Sequence, residues 1–262
     1  KDISYGRVDA AWKFNVTEKS LVHVNARVEY RATFAHKIVI AGQKNKRLRL
    51  CRVANLPAWA SHRLAGRWLG AEISVILLPM PTGRGHGHNS NSVKELAGDD
   101  WFAFLGWYLS EGSSYLVKNR FRGPTVAISQ YKPSASLDAL MARLPWRKTK
   151  SADGYRIFSR QLFDAVNPLG NCYTKRIPKY VLNSSSRQMH LFFDAFVDGD
   201  GHRVKTGSIA ITLANKELVD DLQELCVKIG LRSYSKFIMS STSNAKKRRY
   251  PAWTLSIYRP TG

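Results

Sequence analysis

Glu111 and Asp200 are notable for what precedes them. Glu111 closes the run Phe102-Ala103-Phe104-Leu105-Gly106-Trp107-Tyr108-Leu109-Ser110-Glu111-Gly112. Asp200 closes Leu191-Phe192-Phe193-Asp194-Ala195-Phe196-Val197-Asp198-Gly199-Asp200-Gly201. Each run is apolar nearly all round and reads as a helix buried on several sides. Each has a small residue midway, Gly106 or Ala195. A mid-helix glycine costs about 1 kcal/mol relative to alanine, so another backbone is expected to approach closely there. Each run also ends on an acid, at the negative end of the helix dipole, which is unfavourable by about 0.3–1 kcal/mol apiece. If the two helices pack in parallel, Glu111 and Asp200 also repel each other. A divalent cation between them removes both penalties, and Mg²⁺ is commonly held by one or two carboxylates with phosphate oxygens and water.

The elements that must position these acids follow from local signals. Asp99 or Asp100 is placed to cap the first helix. Ser185 with Gln188 forms a capping box for the second. Gly112 and Gly201 stand where a helix takes a left-handed residue after its last turn. After each helix the chain runs through one plan twice. Strands are expected over 124–130 and 208–213, helices over 136–144 and 216–229, and further strands over 155–159 and 253–258. Repetition of this kind predicts two similar lobes related by a pseudo-twofold axis. The first 80 residues do not fit the plan and read as mainly β, with turns near Asn25, Gly42 and Pro57. In Arg47-Leu48-Arg49-Leu50-Cys51-Arg52-Val53 the period-two alternation predicts a strand that buries Leu48 and Leu50 and turns its guanidinium groups outward. The Gly- and Ser-rich stretch 83–98, with His86 and His88, reads as a solvated linker. The expected division is a mainly β region at 1–82, the linker at 83–98, one lobe at 99–184 and a second at 185–262.

Composition narrows the partners. The 262 residues carry 41 Lys+Arg against 19 Asp+Glu, a net charge of +22, while 44% are hydrophobic and 11% aromatic. That much apolar surface argues for a folded chain, and that much positive charge for a polyanionic partner, nucleic acid first. Cys51, Cys172 and Cys226 are widely spaced, odd in number and form no CxxC pair, so they suggest neither a disulfide framework nor a structural zinc site and fit a reducing compartment. No apolar run reaches the roughly 18 residues of a membrane span, so no membrane partner is expected. The N-terminal Lys1-Asp2-Ile3-Ser4-Tyr5 does not read as a signal peptide.

Residues 104–112 and 193–201 resemble the paired signature helices of LAGLIDADG homing endonucleases, of the kind carried within inteins. The resemblance implies an α+β fold of two pseudo-symmetric αββαββα lobes with antiparallel DNA-binding sheets, beside the mainly β N-terminal region. It implies a monomeric, site-specific nuclease that hydrolyses both strands of double-stranded DNA at a long pseudo-palindromic site, leaving 3′ overhangs. It also implies two or more Mg²⁺ ions at the lobe interface, held by Glu111 and Asp200, with Asp198 structural. Lys175-Arg176-Ile177-Pro178 is similar to the family's Lys-x-Ile-Pro element, 25 residues before Asp200; it implies a catalytic Lys175 near the scissile phosphate. Gln130 falls where the family often orders a water, and its second-lobe counterpart is Leu213. DNA contacts are expected from Arg47, Arg49, Lys118, Arg120, Arg122, Lys132, Lys148, Arg156, Arg203, Lys205, Lys236, Lys246, Lys247 and Arg248.

Thr33-Phe34-Ala35-His36 resembles the Thr-x-x-His block of the intein splicing (Hint) domain, which implies that the N-terminal region is a Hint-like remnant or a DNA-contacting arm. With Lys1 and Gly262 at its ends, this chain is not expected to splice by itself. The implied setting is the cytoplasm of a bacterial or phage-infected cell. Rival readings are an RNA maturase, a non-catalytic DNA-binding regulator on the same scaffold, and a splicing fragment that needs another chain.

Overall fold

Two long helices lie side by side through the middle of the molecule, and each runs directly into a four-stranded sheet. The computed structural model describes residues 2–3, 20–24, 29–41, 47–57, 67–80, 94–119, 122–204, 207–241 and 249–258. In chain order, β1 (Asp2–Ile3), β2 (Ser20–Val24), β3 (Glu29–Thr33), β4 (Lys37–Ala41), β5 (Leu48–Arg52), β6 (Arg67–Trp68) and β7 (Val75–Leu78) come first. Next, β8 (Lys94–Ala97) leads into α1 (Gly98–Glu111). The first lobe continues with β9 (Gly112–Asn119), β10 (Arg122–Ser129), α2 (Ala135–Arg143), β11 (Lys148–Ser151), β12 (Gly154–Phe158) and α3 (Arg160–Val166). The short α4 (Lys179–Leu182) precedes α5 (Ser186–Asp200). The second lobe adds β13 (Gly201–Arg203), β14 (Ile209–Leu213), α6 (Lys216–Lys228), β15 (Arg232–Ser241) and β16 (Arg249–Tyr258).

The lobes share one topology. Their strand orders are β11-β12-β10-β9 and β13-β14-β16-β15. Read from opposite edges, both run first, second, fourth, third within the lobe, and every neighbouring pair is antiparallel. The α+β class and the repeated plan are therefore as the sequence predicts. Local patterning marked one strand on either side of α2 and α6; each belongs to a hairpin, the paired strands that the αββαββα plan implies.

Packing explains the residue types of the central helices. Phe102, Phe104, Leu105 and Tyr108 of α1 are fully buried, as are Phe192 and Phe196 of α5. The helices run parallel: Arg187 near the start of α5 bonds Asp99 near the start of α1 (2.7 Å), and Gly199 near the end of α5 lies against Ser110 and Glu111. At the midpoint, a Cβ on Gly106 would run into the Phe192 carbonyl oxygen and stand 2.8 Å from the Ala195 Cβ. The close approach predicted from the small residues is present.

The caps differ from expectation. Helix α1 starts at Gly98 with no side-chain cap, because β8 delivers the Gly98 N–H to the Ser74 carbonyl (2.8 Å). Asp99 and Asp100 sit in the first turn, on Arg187 and Arg143. Ser185 does cap α5 by accepting from Gln188 N–H (3.2 Å), but the Gln188 side chain turns away to bond both backbone groups of Ile73 (2.8 Å each), so there is no reciprocal box. Gly112 and Gly201 both have φ −85°, extended rather than left-handed. Glycine is required there because the chain enters the strand so tightly that a Cβ would strike Tyr108 or Val197 of the preceding turn.

Residues 67–80 strap the two lobes together. Trp68 Nε1 donates to Ser184 O (2.7 Å) beside the second lobe, and Gln161 of α3 donates to Leu78 O and Pro79 O (2.9 Å each). Residues 94–97, within the stretch read as linker, are strand β8 paired with β7; His86 and His88 lie outside the described residues. Leu48 and Leu50, expected to be buried, are 49% and 65% exposed. Strand β5 pairs with β4 alone, and among the described residues nothing covers that side of the hairpin.

Candidate metal and nucleic-acid site

Because α1 and α5 are parallel and each passes straight into a strand, their final residues meet. A Cβ on Gly199 would lie 3.1 Å from Glu111 Cγ, so glycine there lets the first acid lie against the tip of α5. Glu111 is half-buried and Asp200 exposed. Burial, then the charge of Glu111, pushes the Asp200 carboxyl up to about 7 against the pull of Lys175. Burial also raises Glu111, again opposed by Lys175. Asp200 keeps contact with solvent, which screens the repulsion between the two acids. The two carboxyls form one coupled pair.

Lys175, expected near the scissile phosphate, is turned inward at the end of α1, where the charges of Asp200 and Glu111 act on it. It is 3% exposed, and its Nζ donates to Tyr108 O and Gly112 O (2.6 Å each), 4.8 Å from the Tyr108 ring centre. The last carbonyls of a helix have no intrahelical partner, and this ammonium takes those of α1 instead of facing outward. Burial pushes it down to about 8, with Asp200, Cys172 and Glu111 opposing. Its loop is held from the second lobe. Asn215 Nδ2 donates to Lys175 O (2.6 Å), Arg176 grips both Asp221 oxygens (2.7 Å each), and Ile177 N–H donates to Asp221 (2.9 Å). Neither Asn215 nor Asp221 is among the site residues expected from the sequence. The helix signature after Asn215 could have revealed its capping role, but not its bond to a residue 40 positions earlier.

Gln130 reaches across from the first lobe to donate to Asp198 O in the last turn of α5 (3.4 Å). The Asp198 carboxylate accepts from Ser136 (3.2 Å) and pairs with Arg203 (3.4 Å), so it ties the start of α2 and the base of β13 to α5.

Strand register sorts the basic candidates. In the first lobe Arg156 stands opposite Ala127 and Thr149, while the alternate row, Val126 and Ile157, is fully buried. Lys148 stands opposite Ile157 on that covered face, so it donates to Leu144 O (2.6 Å) at the end of α2 instead of facing outward as expected. In the second lobe Thr212, Thr254 and Lys236 form one row across three strands; Ile211 and Leu255 form the buried row. Lys132, Lys236, Arg47 and Arg49 are exposed. Arg156 pairs with Asp153 (2.6 Å). Lys118 and Arg122 lie on β9 and β10; Arg120, Lys205, Lys246, Lys247 and Arg248 lie outside the described residues. His36 is exposed in the turn between β3 and β4, its N–H on Thr33 O (3.1 Å).

The donor set suits a hard divalent cation. Two carboxylates, each disfavoured as a bare anion, converge at two negative helix ends. Among the described residues no group of three or more His, Cys, Asp and Glu side chains is placed to hold a metal, so water and phosphate oxygens would complete the shell. No described helix is long and apolar enough to cross a membrane, and the three cysteines are free thiols.

No family model and no curated protein matches the chain. Solved structures that align with it include homing endonucleases. A variant of I-DmoI, in complex with its target DNA and in the presence of 2 mM Mn, is 16% identical with a TM-score of 0.42, over 62% of this chain and 87% of that one. I-WcaI bound to its DNA recognition sequence is 16% identical with a TM-score of 0.34, over 61% of this chain and 76% of that one.

Proposed function

We propose that this chain is a metal-dependent, site-specific endonuclease of the LAGLIDADG homing type, acting on double-stranded DNA as a two-lobed monomer. The observation that carries this reading is the convergence of Glu111 and Asp200 at the tip of the parallel pair α1 and α5, between two sheets of one topology. Glu111 and Asp200 would hold the ions. When bound, Mg²⁺ supplies charge stabilisation at the scissile phosphate, activation of water and neutralisation of the leaving oxygen. Lys175 keeps the tip of α1 closed, and Gln130 presents its amide beside α5. Rows such as Lys236–Thr254–Thr212 and Arg156–Thr149 would grip phosphates and read base edges in the major groove. A pseudo-palindromic site and 3′ overhangs belong to this proposal through the family resemblance, as does an intein origin through Thr33-x-x-His36.

The test is digestion of a randomised duplex library in Mg²⁺, with the cut ends sequenced. Wild type is expected to yield one long site with 3′ overhangs. E111Q and D200N should still bind duplex DNA in a gel shift but leave the library uncut, and Ca²⁺ should permit binding alone. Cutting by either variant overturns the assignment, and tighter capture of structured intron RNA without cutting of DNA favours the maturase reading.

A further inference from the structure

The tip of α1 is tied to α6, the outer helix of the second lobe, through the loop that carries Lys175. Asn215 is 4% exposed and uses both ends of its amide. Its Oδ1 accepts from Leu218 N–H (3.2 Å), capping α6. Its Nδ2 donates to Lys175 O (2.6 Å). The Nζ of that same lysine takes the carbonyls of Tyr108 and Gly112 (2.6 Å each), which flank Glu111. Asp221, further along α6, holds the next two residues of the loop through Arg176 and the Ile177 N–H.

We propose that Asn215 is a positioning residue for Glu111: by fixing the main chain of Lys175 it holds the last turn of α1, and so places the Glu111 carboxylate against Asp200. The proposal rests on reading those two acids as the ion-holding pair. A lysine side chain has enough free torsions to lose its target unless its backbone is anchored, and unpaired carbonyls at a helix end fray without a partner. The hydrogen bond from the Asn215 side-chain amide anchors the Lys175 carbonyl in a buried setting, while the Lys175 N–H donates to Asn171 O (2.9 Å) within the loop itself.

The capping and positioning roles use different atoms, so they can be separated. Asn215→Asp keeps the acceptor that caps α6 and removes the donor to Lys175 O. The experiment compares wild type, N215D and N215A as full chains by amide hydrogen exchange and by Mn²⁺ titration followed by electron paramagnetic resonance. In N215D, exchange is expected to rise about tenfold over residues 108–112 and to stay unchanged over 216–219, while Mn²⁺ affinity falls about tenfold, in the range for loss of an outer-shell partner. In N215A exchange rises in both segments. Exchange at 108–112 within twofold of wild type in N215D overturns the proposal, and so does a rise confined to 216–219. E111Q and D200N serve as controls. If they leave Mn²⁺ binding unchanged, the reading of the acid pair fails, and exchange at 108–112 alone then decides whether Asn215 positions the tip of α1.

Discussion

At the residue scale, two acids are held where each is disfavoured as an anion, and this has a pH signature. The folded-state pKa of Asp200 lies above its ordinary 3.8, at about 7. The folded chain therefore keeps a proton that the unfolded chain releases, and stability is lost as pH rises from about 4 to about 7. Solvent contact at Asp200 screens the repulsion and keeps the effect small. Without divalent ions, D200N is expected to melt about 1–3 °C above wild type at pH 8 and level with it at pH 4. Added Mg²⁺ should raise the melting temperature of wild type but not of D200N. Thermal scans across this pH range check both statements, and a wild type that gains on D200N toward pH 8 contradicts the coupling.

At the element scale, the decisive feature is how closely α1 and α5 approach. In an exposed helix a glycine-to-alanine change stabilises by about 1 kcal/mol. At Gly106 the new methyl group meets the Phe192 carbonyl and the Ala195 Cβ. G106A is therefore expected to destabilise by about 1–3 kcal/mol, as overpacked cores do. Urea unfolding reads the sign directly, and stabilisation by G106A would mean the helices are not in contact there. The same closeness along the full length aligns the helix ends, so a change in mid-helix should also weaken any metal site at the tip.

On the scale of the whole molecule, two sheets of one topology each bury one row of apolar residues and leave a row of basic and hydroxyl side chains uncovered, on a chain of net charge +22. Binding to duplex DNA through about six phosphates would lower affinity about 10³-fold between 50 and 200 mM salt. Fluorescence anisotropy over that range measures the slope, and a flat response removes the electrostatic basis for DNA binding. The strap at residues 67–80 joins both lobes near the starts of α1 and α5. Relative motion of the lobes is thus restrained at the end away from the acids, and Lys175 with Asn215 restrains the other end.

Sequence alone determined the two acid-ended helices, their small midpoints, the doubled plan and the basic character. These are statements about neighbours in the chain, and an apolar run or a terminal acid has the same local consequence in any fold. Tertiary structure decided which distant group satisfies each helix end. Lys175 turned to the α1 carbonyls, Gln188 to Ile73, and the Gly98 N–H to Ser74. Register decided that Lys148 lies on a covered face, and the lack of a covering layer among the described residues left Leu48 and Leu50 exposed. A helix terminus or a strand face offers its unsatisfied groups to whatever the packing brings within hydrogen-bond reach, and local sequence does not name a partner 40 to 115 residues away.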